Sequence, residues 1–237
     1  MTRCGGLPNG FGRTDMPKLA IVAALEREVR PLIKSWSVIE KQHDGRSFRF
    51  FGNRDVVLVC GGMGANAARR AAEAIIACFD PEVVCSAGFA GALDSRLKVG
   101  DVIRPRTVIN AGDGSRAVIE GGEGVLVSFA SVASPAQKAQ LRQSFDAQAV
   151  DMEAAAVARA AEARGKAFRA VKSISDVTSF DLPATERFVD ADGRFSEGRF
   201  ALYAAIQPWT WPRVMQMARN SRRASRTLCA FLSDYRR

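Results

Sequence analysis

Three acids stand where acids can do chemistry. Glu28 lies in Leu25-Glu26-Arg27-Glu28-Val29, directly after the apolar run Lys18–Ala24. A carboxylate at a strand end can orient and deprotonate a water. Glu26 and Glu28 are about 200° apart around a helix, so only one of them faces a cleft. Acids opening a helix also complement its dipole, and position alone leaves both readings open. Glu153 lies in Val150-Asp151-Met152-Glu153-Ala154-Ala155-Ala156, where acids open an Ala-rich helix. Such acids cap helices, and a carboxylate can equally accept two hydrogen bonds from a vicinal diol. Asp176 ends Val171-Lys172-Ser173-Ile174-Ser175-Asp176, placed either as a general acid beyond a strand or as a turn residue. Two small-residue segments accompany the acids: Gly61-Gly62-Met63-Gly64 and Gly88-Phe89-Ala90-Gly91-Ala92-Leu93. The first lets backbone N–H groups approach an anion at a helix N-terminus, or is a plain strand-to-helix turn. It is neither a P-loop nor GxGxxG. The second reads as a tight turn after a buried strand.

The elements that must position these residues alternate between strand and helix. Lys18–Ala24 is a strand, and Leu25–Ile33 a helix with Leu25, Val29, Leu32 and Ile33 on one face. Ser47–Phe51 and Asp55–Val59 form a strand pair around Gly52-Asn53. An Ala-rich helix, Ala65–Cys78, stops before Pro81. Glu82–Ser86, Val99–Ile103, Val125–Phe129 and Ala167–Ile174 read as strands, Pro135–Phe145 and Met152–Arg164 as helices, and Gly112–Gly124 as a loop. The pattern predicts an α/β domain with a mainly parallel sheet, whose ligands gather beyond the carboxyl ends of the strands. One domain is expected over residues 16–237, preceded by a loose arm at 1–15, with Leu182–Gly198 an irregular flap.

Charge and cysteine usage exclude other classes. The net charge of +9 resides mostly in residues 198–237, which hold eight Arg and one acid, Asp234. The near-neutral body argues against nucleic-acid binding. The five cysteines are scattered without a CxxC, as expected of free thiols in a reducing cytoplasm. The only histidine, His43, sits beside the turn Asp44-Gly45, which disfavours a zinc site or a His-based triad. No run approaches a membrane-spanning length.

In order, IVAALEREV, GGMGANAARRA, VVCSAGFAGALDSRLKVGDVI, VDMEAAAVA and KSISDV resemble the purine and uridine nucleoside phosphorylase superfamily. The resemblance spans Lys18 to Val177 and is closest to the methylthioadenosine/S-adenosylhomocysteine nucleosidase branch. It implies a three-layer α/β/α fold with a central mixed sheet and cleavage of a nucleoside's N-glycosidic bond. By the same resemblance Asp176 protonates purine N7, aided by Ser175. Glu153 holds ribose hydroxyls beside Met152, and Glu28 directs the attacking water. Met63 lines the ribose side, Ala24, Ala90 and Gly91 lie near the nucleophile, and Val132 and Ala133 fall at the base-stacking segment. Phe89 stands where many relatives carry Ser or Thr, whose hydroxyl helps hold phosphate or water. No cofactor or metal is implied, inorganic phosphate being a co-substrate only for a phosphorylase. Dimers or larger homo-oligomers are implied as well.

The C-terminal segment differs from the body. Val214, Met215, Ala218, Leu228, Cys229 and Leu232 follow helical spacing after Pro208-Trp209-Thr210-Trp211-Pro212, with the Arg residues largely elsewhere. Aromatics beside a basic amphipathic helix fit peripheral contact with an anionic membrane; a last helix packed on the body is the plainer reading. The ending QPWTWPRVMQMARNSRRASRTL resembles the hopanoid-associated branch, which implies a lipid-linked nucleoside, adenosylhopane, that loses adenine. A soluble methylthioadenosine/S-adenosylhomocysteine nucleosidase, a phosphate-dependent phosphorylase and a non-catalytic ligand-binding protein are the alternatives. The retained Glu28, Glu153 and Asp176 speak against the last.

Overall fold

The computed structural model describes residues 17–181, 188, 190, 193, 195–205 and 207–234. The expected arm at 1–15 lies outside the described residues, as does most of the expected flap. At the centre, β1 (Leu19–Ala23) lies between β4 (Val56–Cys60) and β5 (Val83–Ala92), parallel to both. β11 (Ala167–Asp176) runs parallel to β5 on its other side. At its far end β5 also pairs antiparallel with β10 (Ala149–Asp151), which continues through β9 (Val125–Ser128) and β7 (Thr107–Asn110) to β8 (Arg116–Val118). β2 (Ser37–His43) and β3 (Arg46–Asn53) extend the opposite edge beyond β4, and β6 (Val102–Ile103) pairs with β11. The result is one mixed 11-stranded sheet.

Helices cover both faces. The Ala-rich α2 (Ala65–Phe79) and α4 (Ala154–Glu162) join Val22, Phe50, Val57, Val59 and Val84 in one core. Their small side chains let backbone approach backbone, which a closely packed interior requires. On the other face α1 (Glu26–Ile33) and α6 (Trp211–Asp234) bury Val29, Leu32, Ile33, Leu228, Cys229 and Leu232 against Ile21, Leu58, Cys85 and Val171. α3 (Pro135–Phe145) packs Leu141 on Val127 and Val150, and α5 (Glu197–Ala205) precedes α6. Among the described residues no helix is long and apolar enough to cross a membrane.

The three-layer expectation holds, with corrections in detail. Ala87–Leu93 is not a turn, because β5 runs through it to Ala92. Its small residues are there for close approach, as the site below makes plain. The hairpin turn after β3 is at Arg54-Asp55 rather than Gly52-Asn53, and β2 was not expected at all. β2 carries Glu40, Lys41 and Gln42 on a half-exposed edge, so it lacks an apolar run, and its charges guard the edge. The expected loop Gly112–Gly124 contains β8, and β7 and β10 were missed, because strands of three or four residues show no alternation to read. Met215, expected on the packed face of the last helix, is 61% exposed.

Gly61 opens the turn between β4 and α2, where a Cβ would stand 2.5 Å from Ala71 Cβ and 3.1 Å from Ala67 O. Gly61→Ala should therefore force α2 off the sheet and cost about 1–3 kcal/mol. Urea denaturation measures it; an unchanged midpoint would show that this contact does not set the helix–sheet distance.

Candidate active site

The carboxyl edge of β1, β4, β5 and β11 opens into one pocket lined by the twelve residues that the family resemblance picks out: Ala24, Glu28, Met63, Phe89, Ala90, Gly91, Val132, Ala133, Met152, Glu153, Ser175 and Asp176. Arg27, Lys138, Asp151, Met217 and Ser221 also line it.

Glycines in β5 make room for the acids. A Cβ at Gly88 would stand 2.7 Å from Glu28 Oε2, and one at Gly91 would stand 2.9 Å from Asp176 Oδ2. Both positions therefore exclude side chains so that a carboxyl group can lie against the strand. A register shift between Ile174 and Asp176 supplies the second device. Ile174 pairs with Ala90 and Asp176 with Gly91, leaving Ser175 as the extra residue of a bulge. Such a bulge re-aims side chains at the end of a strand. Here Ser175 Oγ donates to Asp176 Oδ1 at 2.7 Å, and Asp176 is buried.

The acids of the α4 segment divide their work. Asp151, not Glu153, satisfies the helix start, because Asp151 Oδ2 accepts the Ala154 N–H at 2.8 Å. Ser128 Oγ accepts the Ala155 N–H at 3.0 Å and donates to Asp151 Oδ1 at 2.5 Å. Glu153 instead accepts from Gly64 N–H (2.8 Å) and Met152 N–H (3.3 Å). The glycine turn is thus a clamp on a carboxylate of the chain itself, and Gly64, with φ +88°, reaches it in a conformation that favours glycine.

Lys172 lies beneath these groups, fully buried, with Nζ 2.8 Å from Asp151 Oδ2. Burial alone would lower its pKa, but Asp151, Glu153 and Glu28 together raise it, so it stays charged. Burial pushes Glu153 up, the Asp151 charge adds to this, and Lys172 and the two backbone donors oppose it. Glu28 is pushed to about 8, chiefly by burial and then by Glu153, against the pull of Lys172. Its Oε2 is buried and has no hydrogen-bond partner among the described residues, so it offers an acceptor or donor to whatever enters the pocket.

Sequence reasoning missed two buried lysines. Lys172 interrupts the apolar run Ala170–Ile174, where an inward charge needs a buried partner. Lys138 is in the first turn of α3, spaced with Leu141 and Phe145 on the inner face. A capping box between Ser134 and Gln137, with Pro135 at the start, sets where that helix begins. Lys138 Nζ contacts Asp176 Oδ2. Among the described residues no cluster of His, Cys, Asp and Glu is arranged to hold a metal.

The Glu28 shift carries a sign. Folded Glu28 keeps its proton up to about pH 8, whereas the unfolded carboxyl loses it near 4.5. Between those values the folded state binds more protons, so this group's contribution to stability falls as pH rises. Glu28→Gln removes that dependence. Its melting temperature should gain on the parent's from pH 5 to pH 8.5, and parallel profiles would show that Glu28 titrates normally.

The model of the phosphorylase superfamily matches residues 18–136 and 122–206. A 5′-methylthioadenosine/S-adenosylhomocysteine nucleosidase from a Marinomonas species is 27% identical over 207 residues, 71% of this chain and 89% of that protein. The crystal structure of such a nucleosidase from Colwellia psychrerythraea, in complex with adenine, is 25% identical with a TM-score of 0.61, covering 69% of this chain and 84% of that one. The Helicobacter pylori nucleosidase shares the fold at 20% identity, with a TM-score of 0.69 over 93% of this chain and 98% of that one. With the family match extending over most of the strands and helices that build the pocket, the chain belongs to the phosphorylase superfamily.

Proposed function

We propose that this enzyme hydrolyses the N-glycosidic bond of a 5′-substituted adenosine, releasing adenine, and that the 5′ substituent is a lipid, as in adenosylhopane of hopanoid biosynthesis. What carries the reaction is the convergence of Glu28, Glu153 and Asp176 on one pocket. Asp176 delivers a proton to purine N7, which makes the base a neutral leaving group. Glu153, held by Gly64 and Met152, accepts the ribose hydroxyls. Water bound at the Glu28 carboxyl, whose Oε2 has no hydrogen-bond partner among the described residues, attacks C1′. Positive charge growing on the ribosyl ring beside Glu28 favours its ionised form and so offsets the burial that protonates it at rest. Water fits the nucleophile site better than phosphate, because the Phe89 side chain offers no donor to an anion and the buried carboxyl groups of Glu28 and Glu153 would repel one. No cofactor is required for this chemistry.

The C-terminal helix supports the lipid part. Met217 and Ser221 line the pocket. On the same helix Trp211, Met215, Arg219, Arg222 and Arg226 lie within about 80° of one another and face away from the body. Trp209, Trp211, Met215 and Leu202 are 74%, 54%, 61% and 67% exposed. Indoles and thioether beside guanidinium groups suit the headgroup region of an anionic leaflet. From there a lipid-anchored adenosyl group reaches the pocket along one helix. The relatives named above favour a second reading, a nucleosidase for methylthioadenosine or S-adenosylhomocysteine that works away from membranes.

Purified enzyme incubated with adenosylhopane or methylthioadenosine, with and without phosphate, separates these readings. Adenine should appear without phosphate, and faster from the lipid; an absolute phosphate requirement would reject hydrolysis, and a preference for methylthioadenosine would favour the second reading. Asp176→Asn should lower adenine release roughly 10²–10⁴-fold.

Co-sedimentation with phosphatidylglycerol and phosphatidylcholine vesicles tests the surface. Binding should favour the anionic vesicles and be lost on combined Arg219→Glu, Arg222→Glu and Arg226→Glu substitution. Unchanged binding by that variant would remove α6 from any membrane role.

A further inference from the structure

Lys138 is a buried ammonium for which the reaction above has no use. Its side chain is 2% exposed, and buried lysines occur only where they are paired. Its partners are Asp176 Oδ2, the Val177 carbonyl at 2.9 Å and the Phe180 carbonyl at 3.4 Å. Asp176 Oδ1 is meanwhile occupied by Ser175 Oγ. The pair is separate from Lys172, whose ammonium faces Asp151 and lies near Glu153 and Glu28. Lys172 thus balances several acids, whereas among the described residues Lys138 makes its one ion pair with Asp176.

This geometry creates a chemical difficulty. A carboxylate in contact with an ammonium is an ion pair and holds no proton to give, yet a departing purine needs one. Of the two groups that donate to Asp176, the Ser175 hydroxyl is a far weaker acid than the Lys138 ammonium, so the proton to be given is on Lys138 Nζ. We propose that Lys138 supplies it through Asp176, an inference that rests on the reading of Asp176 as the group facing purine N7. As the C1′–N9 bond breaks, its electron pair passes into the purine. One proton moves from Lys138 Nζ to Asp176 Oδ2, and the carboxyl passes one proton to N7. Asp176 returns to its ionised form, and Lys138 is left as a neutral amine. Solvent reprotonates the amine after adenine leaves. Glu28 first releases its resting proton to solvent as positive charge gathers on the ribosyl ring, and then takes a proton from the attacking water as that water's oxygen bonds to C1′. Lys138 acts through Asp176 and is a positioning residue for the proton, not a group that touches the substrate. The carbonyls of Val177 and Phe180 hold the ammonium in line.

Lys138→Met keeps the length of the side chain and removes its protons. The variant is assayed on 5′-substituted ribosides carrying adenine, 2-fluoroadenine or p-nitrophenolate at C1′, leaving groups with decreasing need of a proton. Adenine release should fall about 100-fold or more, 2-fluoroadenine release less, and p-nitrophenol release by no more than about threefold. An equal loss across the series would mean that Lys138 only holds the site together, and no loss on adenine would mean that it does nothing for the proton; either result overturns the proposal. Asp176→Asn runs in parallel. If Asp176→Asn releases adenine normally, the reading of Asp176 itself fails. If Asp176→Asn is inactive on adenine while Lys138→Met is active, only the lysine relay fails.

Discussion

An ammonium buried under three carboxyl groups organises the catalytic edge of this sheet. Lys172 emerges from the middle of β11 and meets Asp151 at 2.8 Å, with Glu153 and Glu28 close enough to raise its pKa. Removing one member of a buried pair typically costs about 3–5 kcal/mol, because the other is left uncompensated. The neighbouring contacts follow from holding these charges in place. Asp151 can serve Lys172 and the start of α4 together because Ser128 takes the next backbone N–H. Glu153 can turn toward the pocket because Asp151 has already satisfied the helix. Glu28, placed across β5, is left with too little positive charge to ionise at rest, and its pKa is near 8.

The strand that carries these groups is shaped by what it lacks. β5 could have been an ordinary apolar strand. Gly88 and Gly91 instead make two gaps in it, one occupied by Glu28 and the other by Asp176. The bulge at Ser175 then gives Asp176 a donor on one oxygen and leaves the other to Lys138. Two buried acids thus lie against glycines three residues apart along one strand, roughly 10 Å. The first lies where a nucleophile would be activated, the second where a leaving group would be protonated.

α6 connects this chemistry to the surface. Its C-terminal half is a core element, with Leu228, Cys229 and Leu232 against α1, and Ser225 Oγ donates to the Arg27 carbonyl at 3.3 Å. Its N-terminal half has one side on the pocket, through Met217 and Ser221, and the other in solvent. The helix that carries much of the chain's positive charge therefore also forms one wall of the pocket, with its Arg residues on the solvent side.

Much of this was legible in the sequence. Long apolar runs marked β1, β4 and β11, and a 3.6-residue period with Pro and Gly stops marked α2 and α3, because burial on one or both faces leaves a repeat that composition alone reveals. The acids near the strand ends, taken with the family resemblance, singled out Glu28, Glu153 and Asp176, which the fold brings to one pocket. What sequence could not decide was the partner of each charge. Whether Glu153 or Asp151 capped α4, whether Gly88–Gly91 was a turn or a strand, and what neutralised Asp176 all depended on side chains brought together across the fold. Lys138 and Asp176 are 38 residues apart, and no local period records their meeting. Hydrophobic patterning is a property of neighbours in the chain, whereas the pairing of buried charges is a property of neighbours in space, so only the tertiary structure could show it.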